Sequence, residues 1–159
     1  MNRVTRFNYI MGNAPSEFPN VLYEQIANQC KFLLEEVQET LEAASRGDIV
    51  EVVDGVADCE FVFDYIKTMV QSLGVQQDKA FEAVCDNNDL KYTECYEQVL
   101  QWKKQKEAQG VECYISSVVY EDVEYFMIRR KEDGKGLKFD NFPKVDLKPF
   151  IPKELVNAH

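Results

Sequence analysis

Histidine is almost missing from this 159-residue chain: the single one is the terminal His159, where a fixed geometry is not expected. Serine–histidine and cysteine–histidine triads therefore have no base. The five cysteines, Cys30, Cys59, Cys85, Cys95 and Cys113, form no close C-x-x-C pair, and without an internal histidine a zinc site has no ligand set. Their odd number and irregular spacing among apolar neighbours read as reduced thiols, not a disulfide framework. No apolar run is long enough to cross a bilayer and no secretory signal is recognisable, so a cytoplasmic location without membrane contact is expected. Positive charge is scarce as well. Eighteen Lys and Arg against 28 Asp and Glu leave a net charge of −10, which argues against nucleic-acid binding because phosphate contacts need a basic stripe. The cations that exist gather late, at Lys103, Lys104 and Lys106, then Arg129, Arg130 and Lys131, then Lys135 and Lys138, and read as a solvated helix face and a strand end. Internal repeats and low-complexity tracts are also absent. What remains for chemistry is carboxylates, lysines and a metal.

The 45% hydrophobic content and the length suit a single domain over 1–159. Residues 1–19 read as an irregular arm punctuated by Gly12, Pro15 and Pro19, yet Phe7, Tyr9, Ile10 and Met11 are too apolar to stay in water, so the arm should pack. A helical catalytic core is expected over 20–109. Its first helix runs from about Asn20 to Ala44, with Ile26, Cys30, Leu33, Val37 and Leu41 as the core stripe and Phe32, Glu36 and Glu39 on another face. Gly47 ends it. Asp48 caps the next helix, about 48–73, with Glu51 at capping-box spacing. Val52, Val56, Cys59, Phe63 and Ile66 make one buried-looking face of that helix; Asp54 and Asp58, prolonged by Phe61, Val62 and Tyr65, make another, which would point inward. Shorter helices over about 76–86 and 93–109 follow, the last stopped by Gly110, and four helices is a bundle count. Val111–Tyr120 and Val123–Arg130 read as a β-hairpin turning at Glu121-Asp122 (111–131), and 132–159 as an extended tail. The fold class expected is mainly α, a four-helix-bundle core with a C-terminal β-hairpin and an extended tail.

Two acidic clusters stand on consecutive helices: Glu35-Glu36-x-x-Glu39, then Glu51, Asp54 and Asp58, separated by Arg46-Gly47-Asp48. Facing carboxylates repel, so their convergence calls for a cation, and an all-oxygen donor set is what Mg2+ or Mn2+ prefers. A Glu-rich helix face by itself is commonplace, and Glu51 has a structural alternative as the partner of Asp48. Asp54 and Asp58 are different: aspartate is a poor mid-helix residue, and two of them one turn apart amid valine and alanine cost helix stability with no local return.

These residues resemble the all-α NTP pyrophosphohydrolases, which include MazG-like proteins, dimeric dUTPases and phosphoribosyl-ATP pyrophosphohydrolases, and whose signature is E-E-x-x-E followed by E-x-x-D. Glu35-Glu36-Val37-Gln38-Glu39 matches the first half. For the second, Glu51-Val52-Val53-Asp54 is a literal match, while Asp54-Gly55-Val56-Ala57-Asp58 before Cys59-Glu60-Phe61-Val62 looks like the segment in which the aspartate precedes an apolar run. In that register Gly55 stands where many relatives have glutamate, leaving Glu51 or Asp54 as the fourth ligand. Asn88-Asp89-Leu90-Lys91 is similar to the N-x-x-K segment directed at substrate phosphates. Lys135-Gly136-Leu137-Lys138-Phe139 and Asp146-Leu147 look like the tail of small, phage-type or bacterial members.

The resemblance implies a homodimer or homotetramer with nucleotide bound near the subunit interface. It implies conversion of a nucleoside triphosphate to its monophosphate and pyrophosphate, with Mg2+ (or Mn2+) on Glu36, Glu39, Glu51, Asp54 and Asp58. Glu35 or Glu36 would accept the proton of water, and Asn88 and Lys91 would hold phosphate oxygens. Base and sugar contacts would come from the arm, at Asn8 or Met11, and from aromatics such as Phe61 or Tyr65, although core packing is the expected job of each aromatic. Two competing readings share these residues: a non-catalytic acidic interaction protein, DNA-mimicking in one form, and the same chemistry on phosphoribosyl-ATP or an alarmone nucleotide.

Overall fold

The computed structural model describes residues 2–156, so His159 lies outside the described residues. The chain is mainly helical with a small antiparallel sheet: α1 (Arg3–Ile10), α2 (Pro19–Arg46), α3 (Ile49–Ser72), α4 (Gln77–Asp89), β1 (Tyr92–Thr93), α5 (Tyr96–Ala108), β2 (Cys113–Tyr120), β3 (Val123–Arg130), a 3₁₀ turn at Lys148–Phe150 and α6 (Lys153–Val156). It divides into two compact units, one formed by the chain up to Gln77 with the segment from Lys148 onward, the other by Asp78–Leu147.

The first unit is built on α2 and α3, an antiparallel pair joined by a two-residue turn. Gly47 supplies the left-handed conformation (φ 73°) that ends α2, and the Asp48 carboxylate accepts from the Glu51 N–H at 3.3 Å to start α3. The expected stripe on α2 is only partly core: Ile26 and Leu33 are half-buried, whereas Cys30, Val37 and Leu41 are exposed. The line that faces α3 is instead Leu22, Ile26, Gln29, Leu33, Glu36, Thr40 and Ala43. Opposite it lie Val52, Gly55, Cys59, Val62, Tyr65 and Met69, while Val56 and Phe63, expected inside, are exposed. Close approach decides this. A Cβ on Gly55 would stand 2.3 Å from Thr40 Oγ1, so the two backbones come together where side chains are smallest. Leu22, Tyr65 and Met69 form the core, with Val4, Ile26, Ile66 and Leu73 against them.

The N-terminal arm is not irregular throughout. Asn2 caps α1 through the Thr5 N–H at 2.8 Å and reaches the Asp64 carboxylate of α3 at 2.7 Å, and Val4 joins the core, so the arm packs as a helix before Gly12 (φ 79°) turns the chain back.

In the second unit the sheet order is β1-β3-β2. The hairpin expected from sequence forms around Glu121 and Asp122, both at positive φ (49° and 64°), with Tyr120 paired to Val123. Thr93 belongs to β1, not to the helix expected to begin there, because it pairs with Phe126 and its hydroxyl accepts from the Cys95 N–H. Asn87, Asn88 and Asp89, beyond the end at about 86 expected for this helix, form the last residues of α4, where the Asn88 amide donates to the Val84 carbonyl. α5 covers one sheet face around Val99, Trp102 and Ile128. The segment after the hairpin extends from Gly136, bridged to Arg129, and folds Phe139 onto Trp102 with ring centroids 4.7 Å apart.

Candidate active site

Glu39, Glu42, Arg46, Glu51, Asp54 and Asp58 line one polar groove of about 330 Å³ between α2 and α3, with Ala43 and Gly55 as its floor. Of the first cluster named from the sequence, Glu39 therefore meets the second across the helix pair, while Glu35 and Glu36 do not line this groove. Three- and four-residue steps on α2 and α3 place Glu39 and the second cluster on facing sides. The expectation that Asp54 and Asp58 point inward is corrected: Gly55 takes the buried position, and the two aspartates flank it as exposed side chains at the groove's edge. Glu42 and Arg46 were not singled out from sequence. Their signal was spacing alone, three and seven residues after Glu39.

Glu36 is the half-buried member, directly against α3. Its carboxyl is held above the ordinary glutamate value of 4.5, first by burial between the helices and then by the negative charges of Asp58, Glu39, Glu35 and Asp54. Among the described residues no lysine or arginine pairs with Glu36, Glu39, Asp54 or Asp58. The capping-box alternative for Glu51 also fails at its second half. The Asp48 N–H that Glu51 would accept from is already given to the Ala43 carbonyl at 3.0 Å, in the C-cap of α2. The Glu51 side chain is left to the groove.

No three Asp, Glu, Cys or His side chains among the described residues stand in ready metal-ligand geometry. The donor set nonetheless fits a hard divalent cation: it is all carboxylate oxygen, and the repulsion that raises the Glu36 carboxyl is what a cation would relieve.

Glu35 lies on the neighbouring stretch of α2, lining a second cavity with Asn13, Gln25, Asn28, Gln29, Phe32 and Tyr65. Tyr65 is buried and donates its hydroxyl to the Asn13 carbonyl; Asn8 is buried and donates to the Val4 carbonyl; Met11 is exposed; Phe61 meets Phe7 edge-on at 5.5 Å. Asn88 and Lys91 belong to the second unit, at the end of α4, where the Lys91 ammonium donates to the Asn88 amide oxygen.

Two consecutive acidic helices packed as a hairpin around one carboxylate groove define a member of the all-α, MazG-like nucleoside triphosphate pyrophosphohydrolase superfamily, hydrolases of phosphoanhydride bonds. Within it the chain belongs to the phosphoribosyl-ATP pyrophosphohydrolase family, whose model matches residues 4–88, more than half of the sequence and all of α2 and α3. Membership sets aside the non-catalytic reading. No curated protein and no solved structure matches the chain.

Proposed function

We propose that the chain converts a nucleoside triphosphate, ribo or deoxy, to the nucleoside monophosphate and pyrophosphate, with Mg2+ or Mn2+ held by Glu36, Glu39, Asp54 and Asp58 and with Glu51 at the groove's end. The observation that carries this reading is the groove in which Glu39 of the first acidic cluster meets Glu51, Asp54 and Asp58 of the second, with Glu36 near enough to feel the charge of Asp58 and no lysine or arginine among the described residues paired to the four acids. Divalent ions, when bound, would neutralise polyphosphate charge and acidify water. The chain's own residues do the rest. Glu35 or Glu36 takes the proton as water adds to phosphorus and the anhydride bond between first and second phosphates breaks. Arg46, which lines the same groove, offers its guanidinium to the departing pyrophosphate. Asn88 and Lys91 remain the motif residues for holding phosphate oxygens.

A second reading, the same reaction on phosphoribosyl-ATP, is favoured by the family match. Alone, one copy leaves Leu34, Val37 and Leu41 of α2 and Val53 and Val56 of α3 about half to two-thirds exposed. A homodimer or homotetramer that packs two such hairpins would cover them and complete a four-helix bundle.

The test is pyrophosphate release from a panel of canonical, deoxy and damaged triphosphates and phosphoribosyl-ATP. Glu39→Ala and Asp58→Ala should each cost roughly a hundredfold or more in turnover. Wild-type turnover in either variant at saturating Mg2+ would refute the assignment.

A further inference from the structure

β2 forms one rim of the three-stranded sheet, with its inner edge on β3 and no strand on its outer edge. Tyr120 pairs with Val123 across the two-residue turn, and the Lys131 N–H donates to the Glu112 carbonyl at 3.0 Å, so the even-numbered residues of β2 direct their backbone groups at β3. The N–H and carbonyl of Ile115, Ser117 and Val119 therefore point outward, and nothing among the described residues bonds them. Sheet rims of this kind are ordinarily blunted by a lysine, a proline, a bulge or a very short strand. β2 has none of these: its eight residues include no charge and no proline, and they stay in unbroken register with β3 from Cys113 opposite Arg130 to Tyr120 opposite Val123. Val118, Val119 and Tyr120 are 52%, 65% and 63% exposed along it.

We propose that β2 pairs antiparallel with β2 of a second copy about a two-fold axis at Ser117, joining two sheets into one of six strands. The register follows from which groups are free. Cys113 is buried, so its outward groups are closed to a partner. A two-fold axis at Ser117 sets this residue opposite its own counterpart and Ile115 opposite Val119 in both directions, which satisfies all three free residues with about six hydrogen bonds. Side chains match in the same register. Val119 lies beside Ile115 of the second copy on the face toward α5, and Tyr120 beside Tyr114 of the second copy on the other face, aliphatic and aromatic pairs of the kind that stabilise sheets. This self-match selects a second copy over an unrelated strand. Charge agrees with it: copies carrying −10 each repel, and β2 offers an uncharged line along which they can meet. The one like-charge opposition, Asp122 against Glu112, falls beyond the bonded pairs, where the Lys131 ammonium stands 3.7 Å from Glu112. A single strand pair is small beside a standard interface, so by itself it associates weakly, on the order of 100 µM. It is a different surface from the exposed valines and leucines of α2 and α3, and neither contact needs the other.

Cysteine substitution in the full-length chain locates the axis. Hydrogen-bonded residues opposite one another have Cα atoms about 5.5 Å apart, within disulfide reach, whereas the two copies of Val119 would stand four positions out of line, roughly 13 Å. Under mild oxidation at several hundred micromolar, Ser117→Cys should become a covalent dimer, with the cross-link mapped to position 117 by mass spectrometry. Val119→Cys, exposed on the same strand, should cross-link no more than the parent chain, which accounts for the exposed Cys30 and Cys95. Sedimentation supplies the second measurement, in a Leu41→Glu background that removes the helix-face contact. There Ser117→Lys, an exposed change that sets two like charges opposite each other at the axis, should weaken self-association about tenfold or more, and an unchanged urea midpoint shows that the fold is intact. Equal cross-linking at positions 117 and 119 overturns the inference. So does self-association that Ser117→Lys leaves unchanged, or none at all in the Leu41→Glu chain at several hundred micromolar.

Discussion

Glu36 concentrates the residue-scale physics of the site. Its backbone carbonyl accepts the Thr40 hydroxyl at 2.7 Å, and its carboxyl sits between the helices among four other acids. Below the ordinary glutamate value of 4.5 the group is protonated in both folded and unfolded chains and costs nothing. As pH rises through the window from that value to the raised folded one, the unfolded chain loses its proton first, and the fold bears a growing penalty that is complete above the window. Metal-free wild type should therefore lose stability relative to Glu36→Gln as pH rises through this window, in urea titrations run with a chelator. Adding Mg2+ should reverse the order above it. A wild type that gains on the variant with rising pH, metal absent, would contradict the burial and repulsion assigned to this carboxylate.

At the scale of elements, the α2–α3 pair is set by its smallest residues. Gly55→Ala would bring a Cβ within 2.3 Å of Thr40 Oγ1 and 3.3 Å of Thr40 Cα, so the helices must part or Thr40 must move. Overpacking of this kind costs about 1–3 kcal/mol, readable as a lowered denaturation midpoint, and Thr40→Ala in the same chain should recover part of it. Additive losses in the double variant would show that the two positions do not meet. Much at this scale was legible in the sequence. Gly47 and Asp48 marked the break between α2 and α3, Gly110 follows the end of α5, and alternating Val, Tyr and Ile residues around Glu121-Asp122 marked the hairpin, because caps, turns and periodicity act over a few residues. The two-residue strand β1 left no such signal, and the first helix left only its Asn2 cap. β1 is held by its pairing with β3, and α1 is fixed in place where α3 and the core receive Asn2 and Val4.

For the whole molecule, the apolar stripe that reads as core is the clearest divergence between pattern and packing. Val37 and Leu41 recur with helical period yet stay exposed on one copy, as do Val53 and Val56 across the turn. If a second copy covers them, Leu41→Glu or Val53→Lys should convert the assembly to monomers at micromolar concentration in sedimentation or light-scattering measurements. Each places a charge in an apolar interface centre, a change worth several kcal/mol of association. A wild type that is monomeric at high concentration would remove the oligomer from the proposal. By itself the sequence determined that there would be helices, where they break, and that carboxylates would supply the chemistry, since these follow from local propensity and from which side-chain types exist at all. Only tertiary structure decided that Glu36 and not Val37 faces α3, that Gly55 stands where the aspartates were expected, and that Asn13, Gln29 and Phe32 share a cavity. Periodicity names a helix's faces without naming the partner each one meets, and that choice is made by the closeness of approach that opposing side chains allow.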